Sequence, residues 1–471
     1  MFLPISSPLI PETIRGIFLS IGYSGTAREL GAPMFVLLTI LSWPIARSFR
    51  MIDSANIRML LTTSVGLLTC IILYGFEVTT MLMLISLMLY APCRYRLFGP
   101  GTISVFAICI MGYVHYEFLL NGSTTIDSFP FTSTLMIIVA KICMFGYHVY
   151  DGDNLKKKVP LALHAHVSHH RKVSAITEFS LFSYMAYLFE FMGGLIGSVT
   201  TYREFSDFMH LRGDFSNLKK VSFARPSVFA IGRAFTAVGL YGLLMSVPAM
   251  HIDVLISDWS LSLPFVYRVV LCCVICTAAR LVFVAAWSLT EVNFALSGFA
   301  YQPKVIGREF NRGTNIEWFK VESSQNFNSI LSHWNMRLGE LWLKNCVYER
   351  VETGHSRMLS NLLTKVTSAV WHGWLPGYYF QFLTLGLGNF TDTIVRKRLH
   401  PRLPHKLLKH SQVLAWLHTW MSLNFFYGPF RLLTFEKTVK FGNAFYWWGI
   451  WYHFAIIGVL MLLPVGKTRV E

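Results

Sequence analysis

A single histidine, His372, lies inside an apolar stretch at 366–386 that contains no Asp, Glu, Lys or Arg. The stretch is close to the roughly 20 residues with which a helix crosses a bilayer. An ionisable side chain at that depth is costly unless it is satisfied, so its default interpretation is functional. An imidazole takes up and releases protons near neutral pH, which suits a general acid or base. A structural histidine that bonds a neighbouring helix is the alternative.

The residues around His372 predict how a helix would present it. Pro376 cannot donate to the carbonyl of His372 and crowds it, so we expect the helix to kink or break just after the histidine. Thr364 and Ser368 share a helical stripe with His372. Small residues that would let a neighbouring helix approach closely recur every four positions, at Ala369, Gly373 and Gly377. A polar stripe beside a close-packing stripe predicts a cavity between helices.

The composition predicts an all-α polytopic membrane protein. Of the 471 residues, 54% are hydrophobic and 14% are charged, whereas a soluble protein has about 25% charged residues. The net charge of +16 comes from basic residues spread over short loops, as the positive-inside rule expects, and not from a basic domain. We therefore expect membrane lipids and phosphate-bearing cofactors as partners, and no nucleic acid. Most of the eight cysteines lie in apolar runs, where they fit as buried core residues.

Apolar segments separated by polar loops predict the membrane spans, and loop charge predicts their direction. Besides 366–386, spans are predicted at 30–45, 59–75, 78–91, 102–120, 133–150, 228–250, 264–289, 413–434 and 445–463, with a further apolar run at 175–202. Loops rich in Arg and Lys alternate with loops that hold Glu77 and an N-glycosylation motif at Asn121. The basic loops are therefore expected in the cytosol and Asn121 in the lumen. A short interfacial helix is expected at 12–28.

The segment 336–349 is predicted to be an amphipathic helix. Its polar face carries Arg337, Glu340 and Lys344, and its apolar face carries Leu338, Leu341 and Trp342. The segment is too charged to cross a bilayer alone, so we expect it at the interface or in a cavity lined by protein.

Other polar residues in apolar surroundings need partners or an explanation. Arg280 lies deep in the span predicted at 264–289, and Glu291 follows it by about three helical turns, so each needs its own partner or water. A histidine-rich loop at 164–170 lacks cysteine partners and adjoins a lysine run. We therefore predict no metal site there, because histidine richness alone is a compositional signal.

Three blocks of sequence form a specific pattern. They are Trp334-Asn335, Trp342-Leu343-Lys344-Asn345-Cys346-Val347-Tyr348-Glu349-Arg350 and Trp371-His372-Gly373-Trp374-Leu375-Pro376-Gly377-Tyr378-Tyr379. On these residues the chain resembles the membrane-bound O-acyltransferase family, and most of all its lysophospholipid acyltransferase branch. Weaker matches lie upstream, at Tyr150-Asp151-Gly152, Thr290-Glu291 and Leu296-Ser297-Gly298. Together the matches bracket roughly half of the chain.

The resemblance implies a fold and an activity. The fold is one integral-membrane domain over 1–471, with about eleven transmembrane helices around a buried reaction tunnel. The activity is transfer of a fatty acyl group from acyl-CoA on the cytosolic side to the free hydroxyl of a lysophospholipid, in phospholipid remodelling. Acyl-CoA is then a co-substrate, and no bound cofactor is expected. The resemblance also implies residence in the endoplasmic reticulum membrane.

Residue roles follow from the same resemblance. His372 and Asn335 match the family's active-site positions, with His372 as general base and Asn335 orienting the hydroxyl or stabilising the developing oxyanion. Burial would favour the neutral imidazole that a base requires. The predicted substrate-binding residues are Trp334, Lys344, Tyr348, Arg350, Trp371, Tyr378 and Glu291. Lys344 and Arg350 would hold the CoA phosphates, or else would belong to a solvated helix face.

Other activities remain open at this point. Within the family, the alternative acceptors are a sterol, a diacylglycerol or a protein. A membrane transporter is the alternative from another class, because polar residues at depth also line permeation paths. The sequence shows no evident internal repeat, which disfavours a transporter.

Overall fold

In the computed structural model the chain is helical. The structure describes residues 31–120, 131–161, 165–193, 195–352 and 356–465, and none of these residues lies in a strand. The all-α prediction is therefore confirmed. The helix expected at 12–28 and the glycosylation motif at Asn121 lie outside the described residues.

Internal contacts divide the chain into two compact units, each built from several stretches of sequence. The first unit contains the described residues up to Thr236, then Ala285–Asn315 and the stretch that begins at Arg337. The second unit contains Ala237–Val284, Ile316–Met336 and the described residues from Ser356 onwards. A single domain over 1–471 stays a prediction.

The first unit is organised around helix Phe131–Lys156, most of whose residues are buried. This helix packs against Ala55–Tyr95 on one side and Pro100–Leu120 on another. The other α- and π-helices that lie within the unit are Gly31–Ser48, Ala165–Ser174, Leu181–Leu188, Tyr202–Met209, the π-helix Gly339–Tyr348 and Glu349–Glu352. Helices Ala224–Met245, Leu281–Ser297 and Met336–Leu338 each include residues of both units.

The second unit contains the helix that carries the predicted catalytic histidine and two helices whose rings surround it. We name them the histidine helix (Arg357–His372), the proline helix (Pro376–Ile394) and the tryptophan helix (His405–Leu432). The proline helix packs against both of the others, and the tryptophan helix also packs against Phe265–Ala279. The remaining helices are Asp258–Ser262, Trp318–Glu322, Phe327–His333, the π-helix Val395–Leu399, Phe435–Ala444 and Trp448–Met461.

Several helices have the length and apolar character of membrane spans. Among the described residues, 5 helices pass this test, and the bent pair Phe435–Ala444 and Trp448–Met461 would make a sixth if it forms one span. The helical architecture therefore fits a multi-pass membrane protein. The count of about eleven spans stays a prediction.

Two long apolar segments contain interruptions. The spans predicted at 59–75 and 78–91 correspond to two helices that meet at Gly75, whose φ of 86° and ψ of 168° are not helical. No loop separates them, so Glu77 lies within the helical run Ala55–Tyr95 and not in a loop. The span predicted at 264–289 lies within one candidate span, Phe265–Ser297, in which only Arg280 interrupts the helical assignment while keeping helical φ and ψ.

Three further segments differ from their predicted form. In its described residues, the apolar run at 175–202 contains the short helix Leu181–Leu188, then an irregular segment that is mostly buried, and it ends where helix Tyr202–Met209 begins. The histidine-rich segment is largely the helix Ala165–Ser174 and not a loop. The amphipathic segment is mainly the π-helix Gly339–Tyr348, although its predicted apolar residues Leu338 and Trp342 are buried as expected.

The expected break after His372 is present. The histidine helix ends at His372, Gly373 has a φ of 123°, and Pro376 opens the proline helix at its first position. Proline is favoured there because that position has no intrahelical partner for an N–H group. The stretch 366–386 is therefore two helices and not one, so Ala369, Gly373 and Gly377 do not form one stripe.

Gly377 nevertheless permits a close helix contact. Its N–H donates to the carbonyl of Leu433 at 2.9 Å, just past the end of the tryptophan helix. A Cβ at position 377 would lie 2.1 Å from the carbonyl oxygen of Pro429. No side chain fits there without backbone movement, so glycine sets the distance between the proline and tryptophan helices.

We predict that Gly377→Ala destabilises the protein by about 1–3 kcal/mol, because the added methyl overpacks this contact. Gly386→Ala on the same helix is the matched control. Its Cβ would meet only Lys365, at an ordinary 3.8 Å, so helix propensity should make it neutral or stabilising by up to about 1 kcal/mol. Thermal unfolding of both variants in detergent tests this, and equal effects at the two glycines would contradict it.

Candidate active site in the second unit

His372 is surrounded by aromatic rings. Its imidazole centroid lies 5.0 Å from Phe382 in a stacked arrangement, 5.3 Å from Phe430 and 5.4 Å from Tyr378. The ring of the preceding Trp371, which is buried, lies 4.9 Å away at a near-perpendicular angle. These rings come from the histidine, proline and tryptophan helices. They fix the imidazole in a mostly apolar setting, while His372 itself remains half-buried.

Asn335 lies in the same unit, in a short connection between two helices. Helix Phe327–His333 ends just before Trp334, and the next helix begins at Met336. Asn335 has a φ of 47°, in the left-handed region that asparagine tolerates better than most residues. The backbone turn therefore accounts for asparagine at this position independently of any chemistry at its amide.

Aromatic contacts connect the surroundings of the two predicted catalytic residues. Trp334, next to Asn335, lies 5.7 Å from the ring of Phe283. Phe283 lies 6.3 Å from Phe430, and Phe430 packs on His372. Folding thus places the segment that carries Asn335 and the helix that carries His372 around one aromatic cluster in the second unit.

The predicted coenzyme residues lie in the first unit. Arg350 is mostly buried and donates from Nη1 to the carboxylate of Asp151 at 2.9 Å, with a second bond from Nη2. Burial alone would lower the pKa of the Arg350 guanidinium, but the hydrogen bond and charge of Asp151 outweigh it and raise that pKa. Lys344 is exposed and Tyr348 is half-buried. The assignment of these residues to CoA stays a prediction.

Glu291, also in the first unit, is held by protein groups. Its carboxylate accepts from the guanidinium of Arg233 and from the backbone N–H of Asn315, the latter at 2.9 Å. Arg280 pairs with Glu322 and not with Glu291, in agreement with the prediction that each needs its own partner. The role of Glu291 in substrate binding stays a prediction.

The weaker upstream motif has a clear structural basis. Asp151 is buried and pairs with Arg350, while Tyr150 points outward. A Cβ at Gly152 would lie 1.9 Å from the carbonyl oxygen of Ile176, so the chain can pass there only beside glycine. Both Arg350 and Asp151 belong to sequence blocks singled out above, but their pairing was not predicted, although the need of a buried arginine for a carboxylate is a usable signal.

The fold and the site together define a class of protein: a helical membrane protein with a histidine held in an aromatic cluster. A family model for the membrane-bound O-acyltransferase family matches residues 118–428, which include both Asn335 and His372. The match covers well over half of the chain. The chain therefore belongs to the membrane-bound O-acyltransferase family, and the resemblance seen in the sequence is confirmed.

Curated relatives extend over most of the chain at modest identity. The mouse membrane-bound glycerophospholipid O-acyltransferase 1 is 25% identical in an alignment of 438 residues that covers 88% of this chain and 84% of the mouse protein. The human membrane-bound glycerophospholipid O-acyltransferase 2 is 27% identical in an alignment of 368 residues that covers 73% of this chain and 66% of the human protein. A lysophospholipid acyltransferase of Schizosaccharomyces pombe is 24% identical in an alignment of 451 residues that covers 91% of this chain and 85% of the yeast protein.

We predict that Asp151→Asn destabilises the protein by about 3 kcal/mol, because it leaves the guanidinium of Arg350 buried without its countercharge. Asp153→Asn on the same helix is the control. Asp153 pairs with Arg96 at the surface, where side-chain exposures are 24% and 37%, so its loss should cost less than about 1 kcal/mol. Thermal unfolding measures both changes, and equal destabilisation by the two variants would contradict the role of Asp151 as the countercharge of Arg350.

Proposed function

We propose that the protein transfers a fatty acyl group from acyl-CoA to the free hydroxyl of a lysophospholipid. The observation that carries this proposal is the placement of His372 and of the Asn335 segment around one aromatic cluster, in a chain of this acyltransferase family. The names of the relatives, which refer to glycerophospholipids and lysophospholipids, support the acceptor class. The endoplasmic reticulum membrane is the proposed location.

The chemistry requires a base at the acceptor hydroxyl. As the hydroxyl oxygen attacks the thioester carbonyl, its proton passes to the neutral imidazole of His372. The new carbon–oxygen bond forms and the carbon–sulfur bond breaks. The coenzyme thiolate leaves and takes up the proton from the imidazolium, which restores the neutral base. The aromatic rings around His372 are proposed to limit the access of competing water to the thioester.

Asn335 is proposed to act on the oxygen atoms of the reaction. Its amide N–H groups could donate to the oxyanion that develops on the thioester carbonyl, and its amide oxygen could orient the acceptor hydroxyl. Trp334, Trp371 and Tyr378 are proposed to bound the space where the substrates meet, and the ring contacts of the latter two with His372 support this.

The segment 344–350 is proposed to bind the acyl-CoA donor. Exposed Lys344 is proposed to contact the CoA phosphates directly, with Tyr348 and Arg350 on the same segment. Arg350 already uses its terminal nitrogens on Asp151, so it would contribute its charge while it keeps that pair. Glu291 is proposed to contribute to substrate binding through Arg233 and Asn315, both of which donate to its carboxylate.

Purified protein with radiolabelled acyl-CoA and a panel of acceptors tests the proposed function. We expect label in phospholipid when a lysophospholipid is the acceptor, and little label with a sterol, a diacylglycerol or a peptide. His372→Ala should reduce transfer by at least about 100-fold, because the base is lost. His169→Ala, an exposed histidine on another helix, serves as control and should retain full activity. Transfer that survives in His372→Ala, or a preference for a sterol, would contradict the proposal.

Asn335 can be tested apart from its backbone conformation. Asn335→Gly removes the amide and still tolerates a φ of 47°, whereas Asn335→Ala also strains the turn. We expect both variants to lose turnover by about 100-fold or more if the amide stabilises the oxyanion. Asn361→Ala, at an exposed position on the histidine helix, is the control. Near-normal turnover of Asn335→Gly would reduce Asn335 to a residue that only shapes the turn.

A further inference from the structure

Arg280 is a buried charge for which the sequence offers no nearby partner. It is the single residue between helices Phe265–Ala279 and Leu281–Ser297, and its side chain is 1% exposed. The guanidinium donates from Nη2 to both carboxylate oxygens of Glu322, at 2.9 and 2.8 Å, and from Nε at 3.1 Å. Its Nη1 donates to Oδ1 of Asn424 at 2.8 Å. The arginine is thus fully engaged, and most of its bonds go to Glu322.

Glu322 is also held from the other side, by the tryptophan helix. The indole N–H of Trp416 donates to the backbone carbonyl of Glu322 at 2.7 Å. The indole N–H of Trp420 donates to its carboxylate at 3.2 Å, and the two indole rings stack 5.7 Å apart. Both the backbone and the side chain of Glu322 are therefore fixed in place.

Glu322 belongs to the segment 317–333, which contains the short helices Trp318–Glu322 and Phe327–His333 and folds back so that its two ends meet next to Asn335. We call this whole segment loop 317–333. The N–H of Glu317 donates to the carbonyl of His333 at 3.0 Å, and the side chains of the same two residues lie 3.3 Å apart. Between them, the N–H of Phe327 donates to Asp392 of the proline helix at 2.6 Å. The loop 317–333 is thus closed at its base, anchored at two points, and followed directly by Trp334 and Asn335.

The tryptophan helix contacts both loop 317–333, which precedes Asn335, and the ring of His372. Trp416 and Trp420 hold Glu322, and Phe430, near the end of the same helix, packs on His372. The position of Asn335 relative to His372 therefore depends on how firmly loop 317–333 is attached to this helix. The bonds of Arg280 and the two indoles to Glu322 are the polar part of that attachment.

We infer that Arg280 and Glu322 are positioning residues, which hold Asn335 in register with His372 and so act on turnover through Asn335. This inference rests on the proposed function. A buried ion pair is often a poor source of stability compared with apolar packing, whereas it is highly directional. The geometry favours placement of the loop as the role of the pair, since the carboxylate of Glu322 accepts both from Arg280 and from the indole of Trp420.

Glu322→Gln tests the inference, because it keeps the volume and removes the charge that aligns Arg280. We expect kcat to fall by about 10- to 100-fold, as a small misplacement of a catalytic group can cause, with KM for acyl-CoA and for the lysophospholipid within about twofold of wild type. Glu190→Gln is the control. Glu190 forms a comparably buried pair with Lys141 in the first unit, at 3.2 Å. A similar loss of kcat in Glu190→Gln would overturn the inference, because the effect would then be general.

A double-mutant cycle separates positioning from general damage to the fold. In an Asn335→Gly background, Glu322→Gln should reduce kcat by less than about twofold, because residues that act through one another are not additive. Full additivity would overturn the inference. An Asn335→Gly variant with normal turnover would instead overturn the proposed role of Asn335, so the two failures are distinguishable.

Trp420→Phe serves as a second variant if Glu322→Gln does not fold. It keeps an aromatic ring on the tryptophan helix and removes one donor to the carboxylate of Glu322. We expect a severalfold loss of kcat with unchanged KM, and the same lack of additivity with Asn335→Gly. A normal kcat in Trp420→Phe, or a loss that is additive with Asn335→Gly, would contradict the inference.

Discussion

The structure depends on one constraint: polar and ionisable groups inside a bundle of apolar helices must be satisfied by the protein itself. Arg280 obeys it with Glu322, Arg350 with Asp151, Glu291 with Arg233 and Lys141 with Glu190. Most of these pairs join residues that are far apart in sequence. Each pair therefore links separate stretches within its unit. His372 is likewise held by residues from separate helices, although its contacts are with aromatic rings.

Backbone geometry explains why particular residue types occur in the blocks that identify the family. Asn335 suits a turn with positive φ, Gly373 ends the histidine helix, and Pro376 starts the next one. Gly377 and Gly152 each allow a backbone carbonyl to come closer than any side chain would permit. Much of the recognisable pattern is thus local backbone geometry that brings His372 to a defined place.

Local chemistry made part of this architecture predictable from the sequence. The break after His372 followed from Pro376, and the helical class followed from the composition. The pairing of Arg280 with Glu322 was not predictable in the same way, because the two residues lie 42 positions apart and nothing in the sequence between them indicates it. The interruption at Gly75 was predicted as a boundary between two spans, but the lack of a loop there was not, because a kink and a loop leave similar traces in hydropathy.

The central claim is that the imidazole of His372 and the amide of Asn335 meet at one acceptor oxygen. An experimentally determined structure with a bound, non-reactive lysophospholipid tests it most directly. The account predicts that the free hydroxyl lies within about 3.2 Å of an imidazole nitrogen and within hydrogen-bonding reach of the Asn335 amide. A hydroxyl bound away from His372, or an Asn335 amide turned away from that oxygen, would contradict it.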